Sequence, residues 1–107
     1  FGNDDSELAA WVARTYEPED PLLRDVRARA DAAGLPDIQV AALDARHLEV
    51  LARGCGARRA VEIGTLAGYS GVALLRGMGA GGFLHTCELD PRHAAVAAET
   101  FRRAGFE

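Results

Sequence analysis

Apolar residues recur three or four positions apart in three stretches before position 54, and that spacing predicts three helices. In Ser6–Tyr16, with Ser6 as a candidate N-cap, Leu8, Trp11, Val12 and Tyr16 fall on one face. The segment EPEDP then breaks the pattern. Asp20 is placed to cap a second helix whose first residue is Pro21, with Leu22, Leu23, Val26 and Ala30 as its apolar stripe. Gly34 and Pro36 stop it. A third helix is expected from Asp44 to Arg53, with Leu48 and Leu51 turned inward.

From position 54 the character changes. Nine of the twelve glycines lie between Gly54 and Gly82, so the backbone there must adopt unusual conformations. RAVEI (59–63) reads as a short buried strand, GTLAGYS (64–70) as a turn, and GVALLRGM (71–78) as a helix carrying Val72, Leu74 and Leu75. GAGG (79–82) is a loop and FLHTCEL (83–89) a second strand. Asp90 caps a last helix that starts at Pro91 and runs through Ala94, Val96, Ala97 and Phe101 towards Gly105. Strand, glycine turn, helix, strand and helix form the first half of a doubly wound α/β fold. The chain therefore divides into a helical segment, 1–54, and an α/β part, 55–107.

Composition sharpens this. Of the 107 residues 49% are apolar, but 21 are alanine, so the core should be thin for the length. Parallel sheets bury both faces, which two strands cannot achieve. The only methionine is Met78, so position 1 is not an initiator. The expectation is the front of a protein about twice as long, beginning after its true N-terminus. A net charge of −4, with all twelve basic residues arginine, argues against a nucleic-acid groove. No run of about 18 apolar residues and no export signal occurs, which points away from a membrane and towards the cytoplasm. Cys55 and Cys87 make no disulfide framework and fit apolar, reduced surroundings.

The chemistry concentrates in Val61-Glu62-Ile63-Gly64-Thr65-Leu66-Ala67-Gly68-Tyr69-Ser70 and in Glu88 at the end of the next strand. A strand that ends in a glycine turn and opens a helix aims backbone N–H groups into a crevice. A carboxylate at the tip of the second strand can accept from both hydroxyls of a ribose, and Glu88 stands there. The dinucleotide pattern G-x-G-x-x-G would need glycines at 64, 66 and 69, yet positions 66 and 69 are Leu66 and Tyr69. Glu62 would repel a pyrophosphate but attract a ligand with an ammonium and a sulfonium. Ser70 and the helix start would suit that ligand's carboxylate. The set fits S-adenosylmethionine better than a nicotinamide dinucleotide.

At these residues the chain resembles the S-adenosylmethionine-dependent O-methyltransferases of the catechol and caffeoyl-CoA type. VEIGTLAGYSG, HTCELDP and the upstream LPDIQVAALDARHLEVLA (35–52) carry the resemblance, over residues 35–105. It implies the N-terminal part of a Rossmann-like class I methyltransferase fold, with 55–107 as the first half of the cofactor-binding core. It further implies that Glu62, Gly64, Thr65 and Ser70 line the methionine end, with Val40 against the methionine part. Gly68 and Tyr69 would form the turn, and Glu88 would meet the ribose. The implied activity is methyl transfer to a hydroxyl of a small, catechol-like acceptor, in a homodimer. A divalent metal such as Mg²⁺ would be held by two aspartates and an asparagine, which no segment of this chain matches. A non-catalytic cofactor-binding or oligomerisation fragment, and a nicotinamide-nucleotide oxidoreductase half-domain, stand as alternatives. His85 and Cys87 share a strand face but read as buried strand residues, not as a metal site. His47 and His93 read as surface or satisfied side chains on helices.

Overall fold

In a computed structural model, residues 6–16 and 19–106 are described. Five helices and two strands follow in the order α1 (Ser6–Tyr16), α2 (Pro21–Ala32), α3 (Ala42–Gly54), β1 (Arg59–Ile63), α4 (Tyr69–Met78), β2 (Phe83–Cys87) and α5 (Pro91–Arg103). The two expected aspartate caps are in place, while Ser6 falls within α1 itself. The Asp20 side chain accepts from Leu23 N–H at 2.9 Å ahead of Pro21, and Asp90 accepts from Arg92 N–H at 2.8 Å ahead of Pro91. Past α2, Gly34 takes a left-handed φ of 70°, and Leu35 N–H returns to Ala30 C=O, closing the helix end.

β1 and β2 pair in parallel, Arg59 opposite Phe83 and Ile63 opposite Cys87, with α4 as the crossover. The core gathers Leu23, Val26 and Ala30 of α2, Leu35, Ala45 of α3, Ala67 of the turn before α4, and Tyr69, Val72 and Ala73 at the start of α4. Its small residues let helices approach closely. A Cβ added at Gly77 would run into the Glu49 carbonyl oxygen and lie 2.8 Å from Ala52 Cβ, so α3 and α4 meet almost backbone to backbone. A long-range tie joins α2 to α5, where Arg29 donates to the fully buried Thr100 hydroxyl at 3.0 Å.

Several expectations are corrected. α3 buries Ala45, Glu49 and Ala52, while Leu51 is 63% exposed. The close approach to α4 favours small side chains over large ones on that face. β1 is not buried on both faces: Ala60 and Glu62 are covered, but Val61 and Ile63 are 72% and 82% exposed. The same alternation leaves Phe83, His85 and Cys87 exposed on β2, because α4 packs on the other face of the sheet. Both cysteines are free and exposed rather than in apolar surroundings. α3 starts at Ala42 and α4 at Tyr69, each earlier than the periodicity indicates, and β2 stops at Cys87 rather than 89. α1 buries none of its residues, Trp11 included.

Candidate functional site

The turn between β1 and α4 is built from left-handed residues. Gly64, Leu66 and Gly68 have φ of 88°, 50° and 84°. Two of these are glycines, the residue that adopts such angles without strain; Leu66 does so against its side chain's preference. The compensation is local. Glu88, at the tip of β2, accepts Leu66 N–H at 2.8 Å through one oxygen, and Leu89 and Asp90 N–H at 2.8 and 3.0 Å through the other. These backbone donors, Asp90 and Leu66 first, hold the Glu88 carboxyl below its ordinary range.

Beside this turn lies an open cavity of ≈ 370 Å³. Its wall takes in Val40, Gly64, Thr65, Tyr69, Ser70 and Glu88. Ile38, Gln39, Leu66, Ala67 and His93 also line it; none of these five stands out as a site residue in the sequence. His93 is read there as a surface or satisfied side chain. It is largely covered, 3.8 Å from Glu88 and 3.6 Å from Asp90. Nothing lies within 4 Å of where a Gly64 Cβ would be, so the cavity reaches down to the bare backbone of the turn.

Glu62 and Gly68 are not part of this wall. Glu62 collects hydroxyls behind it: Ser70 donates to one carboxylate oxygen at 2.6 Å and Thr86 to the other at 2.8 Å. Since the Thr86 hydrogen is given to Glu62, Thr65 must donate to Thr86 across their 2.5 Å contact. Gly68 sits behind the turn, where a Cβ would lie 3.2 Å from the Phe101 ring.

Tyr69, at the first position of α4, is buried and donates to Glu19 at 2.6 Å. Arg27 donates to the same Glu19 oxygen at 2.6 Å and to the Val40 carbonyl at 2.8 Å, with its guanidinium 4.2 Å from the centre of the Tyr69 ring. Burial, and then the hydrogen bond to Glu19, push the Tyr69 hydroxyl up to about 12. Burial would raise Glu19, but Tyr69 and Arg27 outweigh it and hold the carboxyl below its ordinary value. Glu19 lies in the stretch that reads only as a helix breaker, so no periodicity points to it.

The wall fits an adenosyl amino acid in kind: apolar at Ile38, Val40 and Leu66, bare backbone at Gly64, and a carboxylate at the strand tip. A divalent cation finds no such fit, because no three His, Cys, Asp or Glu side chains among the described residues are grouped to hold one. Nor is any helix among the described residues long and apolar enough to cross a membrane.

Comparison with known proteins agrees with this geometry. Residues 13–107 match the family model described as O-methyltransferase. Over 99 residues the chain is 42% identical to a catechol O-methyltransferase of Mycobacterium tuberculosis, covering 92% of this chain and 45% of that protein. A catechol O-methyltransferase of Niastella koreensis is 43% identical over 91 residues, covering 85% of this chain and 40% of the relative. The chain thus spans less than half the length of the curated relatives it matches. The crystal structure of an O-methyltransferase from Bacillus cereus in complex with SAH (S-adenosylhomocysteine) superposes with a TM-score of 0.88 at 35% identity, covering 92% of this chain and 45% of that one. Five helices around a two-stranded parallel sheet are therefore part of a Rossmann-like methyltransferase fold. With 42% identity to a curated relative, a matching fold and a family model that covers nearly all of it, the chain belongs to the O-methyltransferase family.

Proposed function

We propose that this chain carries the cofactor-binding front of an S-adenosyl-L-methionine-dependent O-methyltransferase. The enzyme would act on a hydroxyl of a small, aromatic, catechol-like acceptor. The observation that carries the reading is the cavity between the bare backbone of Gly64 and the strand-tip carboxylate of Glu88, in a chain of this family. The acceptor class rests on the two relatives named catechol O-methyltransferase. A homodimer and a cytoplasmic location go with this reading as expectations.

When bound, S-adenosylmethionine supplies a methyl group on a sulfonium, and the work of these residues is to place it. Glu88 would take the ribose hydroxyls. Its carboxylate is fixed by three backbone N–H groups, so little order would be lost on binding. Val40, Gly64, Thr65 and Ser70 would meet the methionine end. Glu62 would act through Ser70, whose hydroxyl it orients, and Gly68 and Tyr69 would hold the turn. Placement of this kind converts a bimolecular methyl transfer into an effectively intramolecular one. A metal step is assigned to none of these residues.

Calorimetric titration of the full chain with SAH tests the proposal. Micromolar or tighter binding is expected, weakened about tenfold or more by Glu88→Ala, since hydrogen bonds to a charged group are lost. Equal affinity in the two proteins would sink the ribose role, and NADH binding without any response to SAH would overturn the cofactor assignment.

A further inference from the structure

Two stretches remote in sequence share the cavity wall: residues 38–40 ahead of α3, and residues 64–67 with Tyr69 and Ser70. The first is held by little. Among the described residues, the backbone of 39–41 takes part in two hydrogen bonds. Ala41 C=O accepts from Ala45 N–H at 3.0 Å, which opens α3, and Val40 C=O accepts from Arg27 at 2.8 Å. Arg27, on α2, also lays its guanidinium 4.2 Å from the centre of the Tyr69 ring. One side chain therefore touches both stretches. Glu19 sets its direction, because a single Glu19 oxygen takes Arg27 Nε–H and the Tyr69 hydroxyl, each at 2.6 Å. A guanidinium is planar and rigid, so pairing Glu19 with one nitrogen and Val40 with another fixes where the Val40 carbonyl stands.

We propose that Arg27 is a positioning residue: by tying the Val40 carbonyl to the Tyr69 ring, it sets the shape of the cavity at the methionine end of the bound adenosyl amino acid. The proposal rests on the cofactor reading above and adds to it the group that keeps Val40 in register with the glycine turn. Arg27 is not in the cavity wall itself; it borders a separate surface cleft, and so it acts through Val40 rather than on the ligand. A wall already ordered in the empty protein spares the ligand the cost of ordering it. Lysine would keep the charge for Glu19, but a single ammonium has neither the planar fork nor the stacking face. Arg29, on the same helix, is the contrasting case. It is bonded at similar lengths, to Asp25 at 2.8 Å and to Thr100 at 3.0 Å, yet both bonds lie off the cavity wall.

Calorimetric titration of SAH into the full chain and its variants, well below their melting transitions, tests this. Arg27→Lys is expected to weaken SAH about tenfold, and Arg29→Lys to leave it within about twofold. Val40→Ala should weaken SAH by itself. Adding Arg27→Lys to Val40→Ala should then cost no more than about a further twofold, because the contact through which Arg27 acts is already gone. A merely structural arginine would show no such coupling. Should Arg27→Lys fail to fold, Glu19→Gln decides in its place: it keeps the acceptor but not the charge, and about a threefold loss is expected. Unchanged affinity in Arg27→Lys (or in Glu19→Gln standing for it), an equal loss in Arg29→Lys, a Val40→Ala chain as tight as wild type, or full additivity in the double variant would overturn the role of Arg27. A wild-type chain that does not bind SAH would overturn the cofactor reading itself and this proposal with it.

Discussion

Glu88 holds the backbone N–H of Leu66 at 2.8 Å, so the carboxylate at the tip of one strand fixes the turn that follows the other. The bond lies at the point of greatest backbone strain in that turn, Leu66 at a φ of 50°. Turn geometry, and under the proposed function ligand recognition as well, thus depends on one ionised group. Its folded-state pKa is lowered, so its contribution to stability is full above the ordinary value of 4.5 and is lost as pH falls through the lower folded value. Melting curves from pH 6 down to about pH 3 should show an acid-side decline in the wild type that is shallower in Glu88→Gln. Parallel declines in the two proteins would refute this.

Tyr69 behaves in the opposite sense. Its hydroxyl is pushed up to about 12, so the neutral form is favoured in the folded chain. The stability it confers is present below the ordinary value of 10 and is lost as pH rises from there towards 12. Tyr69→Phe should cost about 1 kcal/mol at neutral pH, the net worth of one hydrogen bond, and should flatten the alkaline limb of the stability profile. A change of less than a few tenths would mean that Glu19 is satisfied by Arg27 alone.

Two effects compete at Gly77. Alanine is the better helix former by about 1 kcal/mol, which would favour Gly77→Ala. Against that, the new methyl would collide with the Glu49 carbonyl oxygen, a backbone atom that cannot rotate away. Overpacking costs about 1–3 kcal/mol, so net destabilisation of about 1–2 kcal/mol is expected by urea unfolding. A stabilised variant would show that α3 and α4 can separate freely.

Glu62→Ala removes the acceptor of both Ser70 and Thr86 and leaves the Thr65–Thr86 pair without its terminus. A loss of about 1–3 kcal/mol follows from stranding partly buried hydroxyls. Glu62→Gln, which keeps one acceptor, should recover part of it. Equal losses in both variants would argue that the charge, rather than the acceptor count, matters.

What could be read from the sequence follows its strongest local rules. Asp20-Pro21 and Asp90-Pro91 announce helix starts through backbone chemistry that needs no tertiary context, and both caps form. The glycine turn and the acid at the next strand's tip are likewise local, and Glu88 reaches the cavity. Burial is not local. Alternation in RAVEI shows that residues 60 and 62 share a face, but not that only this face is covered. In α3 Leu51 faces solvent against expectation while Leu48 is partly buried, because close approach to α4 selects Ala45 and Ala52. Glu19, Gln39 and His93 lie where no period or motif singles them out, and only folding brings Gln39 and His93 to the cavity wall and Glu19 to Tyr69, itself part of that wall.

The bond from Arg29 to Thr100 spans 71 positions of sequence, and it bears on the timing of biosynthesis. A chain made from its N-terminus at about 5–20 residues per second exposes α2 to the cell several seconds before Thr100 leaves the ribosome. Through that interval the apolar stripe of α2 lacks first α4 and then α5, and Arg29 has no buried hydroxyl to reach. Slowing translation between codons 32 and 100 should therefore lengthen the window in which chaperones engage the nascent chain. Speeding it should shorten that window.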